Sequence, residues 1–378
     1  MKNKSTSDLH VLIIPPWFDV DFSALFSKMF HHLAEDLQSH TSLQIGLIYG
    51  DFQWKNRSTD FIHNNDITYN YLGLKQCCPP KRGILWKYWL WKYEILFKQY
   101  TVQYGRPDLI HGHSILGLLA ASHLGKVHNI PYIYTEHLGG FMENRISKQY
   151  LKKAKQGVLG SKYNSGVSPL FAHRLSSILE QPFHYIPNYI DHEVFYPMDF
   201  QHSHPVFISI GRPAEIKGLD NLITAFHRVL KVLPKARLYL VDDLSDFQAQ
   251  LDIPSELGRA IVFTGEVSRE KVRDLLHQSS VLVSASKFES FGMTMAEAMS
   301  CGRPVVATDT AGSRLILEEG GGQIVPQDDI PSLAEAMIFV YKNLDQYSPS
   351  QLHDSIHRRF GVEQICRQWE SIYHSLRS

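Results

Sequence analysis

Short apolar runs, each followed by a stretch of helical periodicity, recur from one end of this chain to the other. This alternation limits the fold more than any other feature. Strands too short to alternate sides and apolar on both faces belong inside parallel sheets, with helices covering each face. The pattern predicts strands over 11–14, 44–48, 109–111 and 132–135. After an interruption it predicts strands over 206–210, 237–241, 261–263, 281–284 and 304–307. Helices are expected over 23–38, 83–104, 219–231, 269–278, 294–300 and 332–343. The fold class is therefore α/β, built from doubly wound parallel sheets.

The interruption is YPMDFQHSHP at 196–205, where two prolines and mixed polar residues show no period, as in a linker. With 378 residues, each side of it is long enough for its own sheet. The expected domains are residues 1–196 and 197–357. Lys plus Arg and Asp plus Glu both number 38, so no global charge draws the chain to nucleic acid. Cys77, Cys78, Cys301 and Cys366 form no metal-binding or disulfide spacing, which fits a reducing compartment. No run reaches the roughly 20 apolar residues of a membrane span, and the N-terminus reads as a first strand, not a leader. A cytoplasmic protein is expected.

The segment 81–104, KRGILWKYWLWKYEILFKQYTVQY, sets Trp86, Trp89, Trp91 and Tyr93 among Lys81, Arg82, Lys87, Lys92 and Lys98. Two readings fit. It is a core helix whose lysines extend along its edges, or an interfacial helix that makes peripheral contact with the inner face of a membrane.

The densest chemistry lies in FESFGMTMAEAMSCGRPVVATDTAG, residues 288–312. Glu289 sits on a loop and Glu297 on the helix that follows, and ionised carboxylates accept paired hydrogen bonds from vicinal hydroxyls. Gly292 permits close backbone approach where a helix start offers free N–H groups to phosphate. Taken alone, two solvated glutamates on a strand–helix–strand unit would look the same.

The order of motifs narrows this. The segment 288–312 resembles the E-x7-E signature of retaining GT-B glycosyltransferases of family 4, the glycosyltransferases group 1 family. FISIGRPAEIKGLDNLITAF at 207–226 is similar to that family's Gly-Arg turn, Lys-Gly and helix. IPNYIDHEVF at 186–195, VSP at 167–169, PDLIHGH at 107–113 and YTEHLGG at 134–140 resemble its other motifs in the same order.

The resemblance implies a GT-B fold, two Rossmann-like doubly wound domains facing across a cleft, with a last helix at about 358–378 packing back on the first, since FGVEQICRQWESIY at 360–373 resembles that family's returning helix. It implies transfer of a sugar from a nucleotide-sugar donor to a glycan or lipid-linked acceptor, with retention of configuration, in surface polysaccharide synthesis. By the same resemblance, Glu297 holds the donor ribose, Glu289 the donor sugar, and Arg212 and Lys217 the diphosphate beside Gly211. The backbone of Ser290, Phe291, Gly292 and Met293 cradles phosphate, and His137 faces the sugar from the first domain. A UDP- or GDP-sugar enters as substrate; no cofactor and no metal are implied. His111 and His113, one residue apart, form at most two ligands. Two departures stand out: Pro15-Pro16-Trp17-Phe18-Asp19 and Ser23-Ala24 replace a glycine-rich loop, and Tyr189 replaces a glycine. A non-catalytic sugar-binding or complex-forming module, and a GT-B-like nucleotide-sugar epimerase, are the alternatives.

Overall fold

The structure is a computed structural model. It describes residues 8–16, 28–52, 61–64, 67–76, 84–137, 139–141, 145–200, 204–211, 215–242 and 255–377. These residues form two compact units, Met1–Ile186 with Glu363–Ser378, and Pro187–Val362.

The first unit holds an eight-stranded sheet. Its strands are β1 (His10–Ile14), β2 (Gln44–Phe52), β3 (Phe61–Ile62), β4 (Asn70–Gln76), β5 (Leu109–His113), β6 (Tyr132–Glu136), β7 (Asn164–Gly166) and β8 (His184–Tyr185). They lie in the order β3-β4-β2-β1-β5-β6-β7-β8. Every pairing is parallel except β3 with β4. Every residue of β1, β5 and β6 is buried, as strands covered on both faces require. The covering helices are α1 (Lys28–His40), α2 (Ile84–Tyr104), α3 (Ser114–His128), α4 (Lys148–Val158) and α5 (Pro169–Leu179). α3 packs against both α2 and α4.

The second unit holds β9 (Val206–Ile210), β10 (Arg237–Val241), β11 (Ile261–Phe263), β12 (Val281–Ser284), β13 (Val305–Thr308) and β14 (Gly322–Val325). The order is β11-β10-β9-β12-β13-β14, parallel throughout. Around it lie α6 (Leu219–Val232), α7 (Ser255–Gly258), α8 (Arg269–His277), α9 (Met293–Ser300), α10 (Ala311–Ile316), α11 (Ile330–Lys342) and α12 (Pro349–Phe360). α6 forms where Leu222, Ile223, Phe226 and Val229 recur at helical spacing, and all four are buried. They meet Phe207, Leu238, Leu240 and Val283 of the sheet and Met337 of α11 in one core. α8 and α11 start on side-chain caps, Ser268 accepting from Lys271 N and Asp329 from Ser332 N.

The last helix, α13 (Val362–Ser375), belongs to the first unit from Glu363 onward. There Glu370 Oε1 accepts from Ser42 N at 2.6 Å. The proline-bearing stretch at 196–205 does not bound the units as its composition suggested. The described residues before it already pack on the second unit. Ile190 N donates to Phe360 O at 2.8 Å, His277 Nε2 donates to Tyr196 O at 2.8 Å, and Phe195 is buried.

Among the described residues no helix is long and apolar enough to cross a membrane. α2 divides between its two readings. Trp89 and Tyr93 are buried with Leu96, Phe97 and Tyr100, while Trp91 is 50% exposed. Lys81 and Arg82 lie outside the described residues.

Candidate functional site

In the second sheet the strand order reverses between β9 and β12, which pair in parallel. The connection leaving β9 and the one leaving β12 run to opposite sides, so a crevice opens at their carboxyl ends, where such sheets bind ligands. Gly211 follows β9 directly, and Ala285 and Ser286 follow β12.

From β9 the chain turns through Gly211, at φ 144°, a conformation open to glycine. A Cβ there would stand 3.3 Å from Lys217 Cε, so Lys217 lies across the turn. Gly218 begins α6 at φ 60°, and a Cβ on it would stand 2.2 Å from Ala285 O. This contact locks the turn after β9 to the end of β12. Lys287 N, donating to Ile216 O at 2.8 Å, adds a second tie.

Lys217 Nζ then meets Glu289 Oε1 at 2.5 Å, and Ser286 Oγ donates to the same oxygen at 2.9 Å. The loop 289–292 is held from behind. Gly312 N donates to Glu289 O at 2.9 Å, and buried Phe291 sits edge-on to Phe360. Gly292, at φ 94°, is the N-cap of α9; the amides of Met293 and Thr294 precede the first bond of the helix, which Met295 N makes to Gly292 O at 3.1 Å. A fixed ammonium, the Glu289 carboxylate and a helix start thus gather at one end of the sheet.

Glu297 lies one turn into α9. Burial pushes its carboxyl up to about 7, while the Arg269 cation pulls the other way. Arg269 is itself 3.8 Å from Asp191 and stands over the Phe195 ring.

In the first sheet the order reverses between β1 and β5. His111 and His113 end β5, and His137 follows β6. Both His111 nitrogens are engaged, Nδ1 with Tyr373 OH at 2.8 Å and Nε2 with Thr135 Oγ1 at 2.7 Å. The His111 and His113 rings lie 3.9 Å apart by centroid, tilted toward a stack, and do not converge on a common ion position. His113 Nδ1 and His137 Nε2 are 2.9 Å apart. Burial, then the nearby imidazoles, hold His111 and His113 well below the usual histidine range.

The structure therefore brings Gly211, Lys217, Glu289, Ser290, Phe291, Gly292, Met293 and Glu297 to one end of one sheet. Arg212, and the loop carrying Trp17 to Ala24, lie outside the described residues. Sequence reasoning missed Ser286, Arg269, Thr135 and Tyr373. The first two carry no motif. His111 was seen as a ligand candidate, but its hydrogen-bond partners come from distant segments.

Two such sheets, each with a ligand crevice at its switch point, define a GT-B protein built from two Rossmann-like units. Residues 204–343 match the family model described as "Glycosyl transferases group 1". It is 26% identical to an N-acetyl-alpha-D-glucosaminyl L-malate synthase of Bacillus anthracis over 203 residues, 50% of this chain and 52% of the relative. It is 28% identical to the phosphatidylinositol N-acetylglucosaminyltransferase GPI3 subunit of Saccharomyces cerevisiae over 209 residues, 51% of this chain and 45% of the relative. These matches span about half the length of each relative. A sucrose-phosphate synthase from Thermosynechococcus elongatus superposes with a TM-score of 0.80 at 21% identity, covering 97% of this chain and 99% of the other. Anabaena HepE, solved with UDP and glucose, gives 0.75 at 16%, covering 97% and 100%. At these identities the structural likeness carries the fold alone.

Proposed function

We propose that the protein transfers a sugar from a nucleotide-sugar donor to an acceptor hydroxyl with retention of anomeric configuration. The observation that carries this is the Lys217–Glu289 pair beside the start of α9, at the switch point of the second sheet. The bond from the sugar C1 to the diphosphate breaks, and charge builds on the leaving phosphate oxygens. Lys217 and the α9 amides stabilise that charge most in the transition state. Arg212, adjacent in sequence to Gly211, adds a second cation. The acceptor oxygen bonds to C1 on the face the phosphate leaves, and its proton passes to a departing phosphate oxygen. Glu289 accepts hydrogen bonds from the donor sugar and Glu297 from the ribose.

A glycan or lipid-linked acceptor suits this chemistry, and surface polysaccharide synthesis in the cytoplasm is the setting we assign. A UDP-sugar is the first donor to try, because a protein of the same fold is held with UDP and glucose. The test incubates the pure protein with a panel of UDP- and GDP-sugars and follows nucleoside diphosphate release with and without candidate acceptors. Release from none of them, with the fold intact, overturns the proposal in favour of a non-catalytic module.

A further inference from the structure

The chain is neutral as a whole, yet its charge is segregated. Residues 84–180 carry twelve Lys and Arg against five Asp and Glu. Much of this excess stands on two helices of the first unit. α2 and α4 both pack on α3. They meet at Trp86, where Lys153 Nζ sits 4.0 Å from the ring centroid and Tyr150 approaches edge-on.

A helix on the surface of a sheet normally turns its apolar stripe inward and a purely polar one outward. α2 does not. Lys87, Trp91, Lys98 and Val102 fall on one side of it, spaced by four, seven and four residues. All four are exposed, Trp91 by 50% and Val102 by 82%. α4 repeats the pattern, with Lys148, Lys152 and Leu159 following on one side and Leu159 68% exposed. Tyr88, 40% exposed, has its ring 5.5 Å from that of Trp91 and Lys92 Nζ 5.5 Å from its own centroid. The acids near this face are engaged: Glu94 with His123 at 2.7 Å and Glu180 with Lys155 at 2.5 Å. Lysines outnumbering free carboxylates, interleaved with exposed Trp, Tyr, Val and Leu, match a surface that is anionic at its headgroups and apolar beneath them. Nucleic acid would use the lysines and leave Val102 and Leu159 unexplained.

We propose that the outward face of α2 and α4 docks on a membrane carrying anionic phospholipid headgroups. Trp91 and Tyr88 enter the headgroup boundary while Lys87, Lys98, Lys148 and Lys152 pair with lipid phosphates. The docking is independent of the sugar-transfer chemistry, since it uses none of the residues assigned to the donor.

The test is sedimentation of the full chain with vesicles of phosphatidylglycerol and phosphatidylcholine, compared with phosphatidylcholine alone. The protein is expected to sediment with the anionic vesicles in low salt. It should be released at about 0.5 M NaCl, where screening is short-ranged. Lys87→Gln/Lys148→Gln/Lys152→Gln is expected to bind on the order of a hundredfold more weakly, from roughly a fivefold loss per lysine. Trp91→Ser is expected to weaken binding severalfold. A control triple, Lys231→Gln/Lys235→Gln/Lys342→Gln, changes exposed lysines of the second unit and is expected to bind as the parent does. The proposal is overturned if the parent ignores anionic vesicles, if the first triple binds unchanged, or if the control loses as much. Equal binding to an RNA oligomer with no effect of Trp91→Ser also overturns it.

Discussion

Lys217 and Glu289 form an ion pair at 2.5 Å across 72 residues of sequence, tying the turn after β9 to the loop before α9. Both side chains keep some contact with water, so the pair adds little to folding. In the proposed mechanism it holds an ammonium where a diphosphate would leave. Lys217→Ala is expected to lower kcat by about 10²–10³-fold and to change the unfolding free energy by less than about 1 kcal/mol. Steady-state kinetics beside urea unfolding separates the two. Wild-type kcat in this variant removes Lys217 from the mechanism.

Glu297 sets a pH dependence. Under the proposed assignment only its ionised form accepts both ribose hydroxyls, and burial has pushed its carboxyl from 4.5 up to about 7. Donor affinity should therefore rise as pH rises through about 7 and level off above it. Stability runs the other way. A carboxyl whose folded pKa is raised contributes stability in full below its unfolded value, and loses it as pH rises through the folded one. Glu297→Gln should flatten both trends between about pH 4.5 and 8. Donor titration calorimetry and urea unfolding across that range check them, and an unchanged pH profile in Glu297→Gln refutes the assignment.

Turnover is expected to survive EDTA. In the proposed mechanism Lys217, Arg212 and the α9 amides supply the positive field that a divalent ion brings to other diphosphate-leaving reactions. Loss of turnover on chelation, restored by Mg²⁺ or Mn²⁺, would contradict the proposed assignment of these residues.

The sheets were legible where strands were apolar throughout. β9, β10, β11 and β12 fall where the pattern put them. β4, NYLGLKQ, and β7, NSG, were missed because polar residues and glycine break the run. α3, SILGLLAASHLGKVH, was missed for the opposite reason. Ten of its residues are buried, so it shows no one-sided period. Lys217, Glu289, Gly292 and Glu297 were singled out by motifs that resemble a family in order and spacing, and the structure places them at one end of the second sheet. Ser286 was not singled out, because one serine after a strand looks like any other until Glu289 is seen to accept from it.

Gly218 is where the backbone allows no side chain. Its φ of 60° disfavours any L-residue, and a Cβ would stand 2.2 Å from Ala285 O, a backbone atom at the end of β12. Gly218→Ala is expected to destabilise the protein by roughly 2–4 kcal/mol, strain and clash together. It should also lower kcat by displacing Lys217. A urea midpoint within error of the parent would show that the turn after β9 shifts at little cost.

His113 holds the ring of His137. The two share a proton between Nδ1 and Nε2 at 2.9 Å, and His113 is buried against Phe30 and the face of His111. Burial keeps His113 neutral at pH 7, so it acts as a fixed partner and not as a charge. If His137 faces the donor sugar, removing this partner should cost more activity than stability accounts for. His113→Ala leaves a cavity and is expected to destabilise by about 2 kcal/mol, with kcat falling further than the lost fold explains. His113→Asn places an amide atom where Nδ1 stood and can still bond His137 Nε2. It is expected to recover most of kcat while remaining less stable than the parent, because the rest of the ring is still missing. Thermal unfolding and kcat measured on both variants decide the matter. Equal losses of kcat in His113→Ala and His113→Asn would reduce His113 to a packing residue.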